Sequence, residues 1–203
     1  MSKYFNKKSY HIGKNVSIGK NVTIYPGNFI DGQCKIGDNV TLFPDNYIID
    51  SVIENDVTIH SSVIEKSVIR AKTSVGPFAR LRPGAEIGSN CKIGNFVEIK
   101  NSKIGDKTKI SHLAYVGDSE IGCECNIGCG VIFANYNGKT KNKIKIGNHV
   151  FVGSNCNLIA PLTIKNDSYI CAGTTVTEDV ERNDFVIGRC KQINKPGRGK
   201  NYF

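Results

Sequence analysis

The residues able to do chemistry in this 203-residue chain are four His, eight Cys, and 27 Lys and Arg set against 18 Asp and Glu. Arg82 and Lys100 lie eighteen positions apart, as do Arg80 and Glu98. Tyr115 follows Glu98 by seventeen, and His112 follows Asn95 by seventeen. These spacings matter only if the chain returns to the same place at that interval. If it does, Arg82 and Lys100 stack outward on one face. An anion between them would offset their repulsion, and a sugar phosphate is the natural one. The Arg80–Glu98–Tyr115 column flanks the cations. His112, the best group to take a proton near neutral pH, lies at a turn close by. Ser154 and Ala172, again eighteen apart, are both small. They would leave a groove of the kind an extended chain such as pantetheine occupies.

The required interval is written along the sequence. Ile12, Ile18, Ile24, Ile30, Ile36 and Leu42 recur every six residues. The phase continues on apolar residues through Phe133, resumes at Ile146 and runs to Val176. Occasional five-residue steps, such as Ile99 to Ile104, shorten a coil from eighteen to seventeen. Neither the 3.6 period of a helix nor strand alternation produces this pattern. A short strand and a turn, repeated every six residues and closing a triangle every three units, does. The fold class predicted is all-β: a parallel β-helix of hexapeptide repeats with roughly nine coils, about 45 Å tall at a strand spacing of ~4.8 Å.

The position two before each phase residue is small, as at Val22, Val40, Thr73, Ala79, Ala85 and Val97. Cys34, Cys91, Cys125 and Cys156 share this slot, so they read as small buried packing residues. Cys123, Cys125 and Cys129 lack the paired CxxC spacing of a zinc site, and no metal is expected there. His11 and His60 beside phase residues, and His149 in a turn, read as surface. The chain divides into a polar basic leader (1–10), the repeat (11–180) with an expelled loop (134–145), and a basic C-terminal tail (181–203).

A net charge of +9 raises nucleic acid as a partner. The cations are mostly scattered Lys, and no single-strand motif or zinc finger accompanies them, so none is expected. The opening MSKYFNKKSY has no apolar segment after its basic residues. No run approaches the ~18 apolar residues of a membrane span. The expected location is cytoplasmic, with reduced thiols.

The runs GPFARLRPGAEIG (76–88), GNFVEIKNSKIG (94–105), SHLAYVGDSEIG (111–122), FANYNG (133–138), VFVGSNCNLIAPLTI (150–164) and AGTTVTEDV (172–180) go beyond a generic hexapeptide. They resemble the C-terminal acetyltransferase domain of the bacterial bifunctional N-acetylglucosamine-1-phosphate uridylyltransferase/glucosamine-1-phosphate acetyltransferase family. The resemblance is dense from about residue 75 to 190. Nothing like that family's Gly-rich nucleotide loop occurs here, so nucleotidyl transfer is not expected. The resemblance implies a left-handed coil, where the usual crossover rule would give a right-handed one. It implies His112 as the base, and Arg82, Lys100, Tyr115, Asn126 and Lys141 as sugar-phosphate contacts. It implies Asn135, Tyr136, Ser154, Ala172 and Arg189 as acetyl-CoA contacts, and a homotrimer with sites between neighbouring prisms. Glu98 is expected to orient His112 or the amine, and Ser154 or a backbone N–H to meet the oxyanion. The chain departs from the family pattern at Ala114 (commonly Thr), Asn137 (commonly Asp) and Gly188 (commonly Ser), and it has no Trp.

The activity expected is acetyl-CoA-dependent N-acetylation of glucosamine-1-phosphate in UDP-N-acetylglucosamine synthesis. Acetylation of another amino sugar or sugar nucleotide, and a non-catalytic β-helix scaffold, are the alternatives.

Overall fold

The computed structural model describes residues 3–4 and 9–202. Most of the expected leader therefore lies outside the described residues. Strands of two or three residues follow one another through turns from His11 to Val186. All strand pairs are parallel. The three-sided coil fits a left-handed β-helix. Among the described residues there are 28 strands, three to a turn, which gives nine to ten coils.

The first face is a nine-stranded sheet from Ser17–Ile18 to Leu162–Ile164. The second runs from Lys3–Tyr4, paired with Thr23–Ile24, up to Phe185–Val186, and the third from His11–Ile12 up to Thr175–Val176. Two nine-residue strands, Lys92–Lys100 and Lys109–Gly117, turn the corner from the second face to the third without a break. They pair along nearly their whole length, from Lys92↔Lys109 to Lys100↔Gly117. The two faces thus merge into one nineteen-stranded sheet at that level. His112 sits at this fused corner, in register with Asn95.

The hexapeptide phase is the core. Every phase residue from Ile24 to Val176 is buried, and Ile12 and Ile18 pack against the core from the open end. A fully buried Ile side chain contributes about 1.5–3 kcal/mol, and each rung supplies three such positions. The small slot is buried too: Cys34, Cys91, Cys125 and Cys156 lie inside beside Val97, Ala79 and Thr73. Thr73, Thr108 and Thr174 occupy the same slot as Ala114, so the Thr-to-Ala departure is accommodated by ordinary packing.

The repeat reaches past residue 180, because Phe185–Val186 pairs with Tyr169–Ile170. The expelled loop is tighter than its sequence bounds: Ala134 ends one strand and Ile144 begins the next. Between them Tyr136 and Lys141 form an antiparallel bridge. Asn137 Oδ1 accepts from the backbone N–H groups of Lys139 (3.0 Å) and Thr140 (2.8 Å), a turn an Asp could cap equally well. No helix among the described residues is long and apolar enough to cross a membrane.

Candidate active site

At the fused corner His112 stands directly over Asn95. Its Nδ1 lies 2.9 Å from Asn95 Oδ1. With that carbonyl oxygen as acceptor, Nδ1 carries the proton and Nε2 keeps its lone pair. The ring is exposed, so the basic nitrogen is accessible. The corner continues upward through Cys129, Ser154 and Ala172. Backbone bonds of 2.8 Å tie these turns together, from Gly130 to Leu113, Asn155 to Cys129 and Gly173 to Ser154. Arg189 closes the column, its Nη1 donating to the Ala172 carbonyl at 3.0 Å. Ser154 and Ala172 therefore stack as their eighteen-residue spacing implied, with Arg189 against Ala172 and Ser154 two rungs above His112.

The third face carries the column Arg80–Glu98–Tyr115, in that register, and continues to Ile132. An open, largely apolar cavity of about 460 Å³ lies on it, lined by Phe96, Glu98, Leu113, Tyr115, Gly130 and Ile132. A larger cavity of about 530 Å³ lies on the first face, against Glu120, Lys145, Thr163, Lys165 and Arg182. No sequence-predicted site residue borders it, so the smaller cavity is the relevant one.

Across the third face, at its corner with the first, are the cations. Arg82 Nη1 lies 2.7 Å from Glu98 Oε1. Lys100 has the Lys141 ammonium beside it, with Arg82 and Asp118 also near. Lys141, desolvation and Arg82 hold the Lys100 pKa below its ordinary value, while Asp118 acts the other way. Three cations thus face two carboxylates. The sequence argument had two unmatched cations; the structure matches Arg82 to Glu98 and places the excess charge at Lys100 and Lys141.

The same bond revises Glu98. Its partner is Arg82, and Asn95 holds the His112 ring, because the long Arg82 side chain reaches back along the strand to the carboxylate. Asn126 lies on the second face in register with Lys109 and Phe151, away from the Lys100 corner. Asn135 and Tyr136 lie at the loop, a full face away from Ser154 and Ala172. Asn135 is buried, while Tyr136 is exposed with its hydroxyl donating to Gly138 O at 2.7 Å. The Tyr115 hydroxyl and the Asn135 amide both crowd Gly117, where any side chain would strike them.

Three residues gain places that sequence reasoning did not give them. Asn95 holds the His112 ring through Nδ1. Cys129 occupies the corner between His112 and Ser154, a position its seventeen-residue spacing from His112 already encoded. Asp118 is buried between Asn101 and Asn135.

The chain is 49% identical over 187 residues to the bifunctional protein GlmU of Clostridium beijerinckii, covering 92% of this chain and 41% of that protein. It is 46% identical over 194 residues to the GlmU of Clostridium botulinum, covering 96% of this chain and 42% of that protein. This chain resembles GlmU over part of its length. The GMPPB C-terminal domain family matches residues 63–136. Among solved structures, PerB of Caulobacter crescentus in complex with CoA and GDP-perosamine is 26% identical with a TM-score of 0.52, covering 57% of this chain and 54% of that one. The Francisella novicida UDP-N-acetylglucosamine acyltransferase shares the fold with a TM-score of 0.62 at 19% identity, over 88% of this chain and 65% of that one. The GlmU-like chain therefore spans about two fifths of the length of the curated relatives it matches. The Francisella likeness shows the fold alone.

Proposed function

We propose that this GlmU-like chain transfers an acetyl group from acetyl-CoA to the amine of glucosamine-1-phosphate, giving N-acetylglucosamine-1-phosphate. The observation that carries the reading is the third face. One edge holds His112 with its ring fixed through Nδ1, and the other holds Arg82, Lys100 and Lys141. A sugar phosphate lying across the face would put its phosphate at the cations and an amine toward the imidazole.

The chemistry is short. The neutral amine attacks the thioester carbonyl, and a C–N bond forms. His112 Nε2 removes the amine proton. The oxyanion takes a hydrogen bond from Ser154 or a nearby backbone N–H. The C–S bond then breaks, and His112 returns the proton to the departing sulfur. Pantetheine follows the Ser154–Ala172 corner, with Arg189 at its phosphate end.

The test is release of CoA thiol with glucosamine-1-phosphate against a panel of amino sugars. Absence of release with every amine would overturn the reading in favour of a scaffold. Release only with a nucleotide-linked amino sugar would favour the second reading, which the likeness to the GDP-perosamine complex supports. His112→Ala is expected to lower kcat by about 10²–10⁴ with the fold retained, the usual range for a general base. Wild-type turnover in that variant would remove His112 from the mechanism.

A further inference from the structure

We propose that Asp118 is a positioning residue for this transfer, pinning the 135–143 loop through Asn135 to the Lys100 corner so that Lys141 meets the sugar phosphate. The inference rests on the acetyl-transfer reading for its kinetic consequence and on geometry for its cause.

Asp118 holds a left-handed backbone conformation, φ 50°, at the corner where the third face turns into the first. It is only 8% exposed, and Asn135 only 5%. Its two carboxylate oxygens have separate partners. Asn101 Nδ2 donates to Oδ1 at 2.6 Å, and Asn135 Nδ2 donates to Oδ2 at 2.5 Å. The Asp118 backbone engages both sides: its N–H donates to the Lys100 carbonyl at 3.1 Å, and its carbonyl accepts from Ile144 N–H at 3.4 Å. One residue thus ties the strand bearing Lys100 to the loop's first residue and to the strand that receives its end. The loop's own closing bond, Asn142 N–H to Asn135 O at 2.7 Å, carries the restraint on toward Lys141. Asp118 is also the carboxylate whose charge opposes the repulsion between Lys100 and Lys141.

A buried carboxylate with both oxygens bonded to amides is replaced isosterically by Asn, but one oxygen becomes an NH₂ that cannot accept. Asp118→Asn therefore loses one charge-assisted bond and the negative charge near Lys100. A loss of that kind corresponds to about tenfold in binding. The expected result is a KM for glucosamine-1-phosphate raised about tenfold, with kcat changed by no more than about threefold. Amide exchange at residues 135–143 should be faster than in wild type. The groups facing Lys100 are Lys141, Arg82 with its partner Glu98, and Asp118. Releasing the loop takes Lys141, the main cause of the low Lys100 pKa, away from it, and this outweighs the loss of Asp118, so the alkaline fall in kcat/KM for the sugar phosphate should move to higher pH. Loss of the charge with the loop still in place would move it to lower pH and would overturn the proposal.

Unchanged exchange with unchanged KM would overturn the proposal. So would a fall in kcat at constant KM. If the wild-type chain does not acetylate glucosamine-1-phosphate, the function reading fails while the exchange measurement still decides whether Asp118 pins the loop. If Asp118→Asn does not fold, Asn135→Asp sets two carboxylates against each other with the Asn101 bond intact. That variant should show the same rise in KM and loss of loop protection, and wild-type values in it would overturn the proposal.

Discussion

The bond from His112 Nδ1 to Asn95 Oδ1 gives the imidazole one tautomer and one orientation. A ring without it samples both tautomers and rotates freely, so part of its population presents N–H where a lone pair is needed. Asn95→Ala is expected to lower kcat about fivefold, in line with a hydrogen bond of ~1 kcal/mol, with both KM values little changed. Asn95→Asp restores an acceptor. Its kcat should therefore recover toward wild type. Steady-state kinetics across pH would check both, and an undiminished kcat in Asn95→Ala would show that the ring needs no such partner. Asn95 was legible in the sequence as a neighbour of His112, one rung away. The direction of its side chain was not, because stacking fixes Cα register and leaves χ angles open.

Among the elements, the small corner slot has a measurable signature. Burial pushes the thiols of Cys34, Cys125 and Cys156 up, and that of Cys91 up to about 11 from 9.0. A raised folded pKa means the native state holds its proton where the unfolded chain has lost it. That contribution is fully present below pH 9 and is lost as pH rises toward about 11. Denaturant midpoints should therefore fall between pH 9 and 11, and Cys91→Ala should flatten part of that fall. An identical slope in the variant would remove Cys91 from the effect. Under native conditions a thiol reagent should modify the exposed Cys123, Cys129 and Cys190, and reach Cys34, Cys91, Cys125 and Cys156 only after unfolding. The expelled loop belongs to this scale as well. Its position in the sequence was plain from the broken period, but its closure on Asp118 depended on a contact the repeat does not encode.

Across the whole molecule, strain gathers beside the candidate base. Phe78, Phe96 and Leu113 have φ of 59°, 57° and 40°, a region costly for bulky residues. Their side chains nevertheless project into solvent, each more than half exposed, as an apolar ridge along the fused corner. The other non-glycine corners place polar residues in the same conformation, as at Asn90, Asp56 and Lys72. The ridge fits the proposed homotrimer, in which a neighbouring prism would cover it and complete the site. Sedimentation equilibrium is expected to show three chains of 22.2 kDa. Leu113→Asn should relax the backbone yet weaken assembly, and a monomer with full activity would refute the shared site.

The sequence by itself determined the solenoid, its three-sided section, its core and the columns that bring distant residues together. A six-residue apolar period has one economical way to bury its isoleucines, and a near-constant coil length makes Cα register a matter of counting. The tertiary structure decided what counting cannot reach. Register stacks Glu98 on Arg80, but the long Arg82 side chain takes the carboxylate. Register leaves the loop free, but Asp118 bonds its first residue. Those outcomes depend on side-chain length, burial and the path of the expelled segment. The chemistry proposed for His112 and the cations was therefore visible as a cluster of residue types. Which atom pairs with which, and where the unmatched positive charge lies, became defined only when the coils closed.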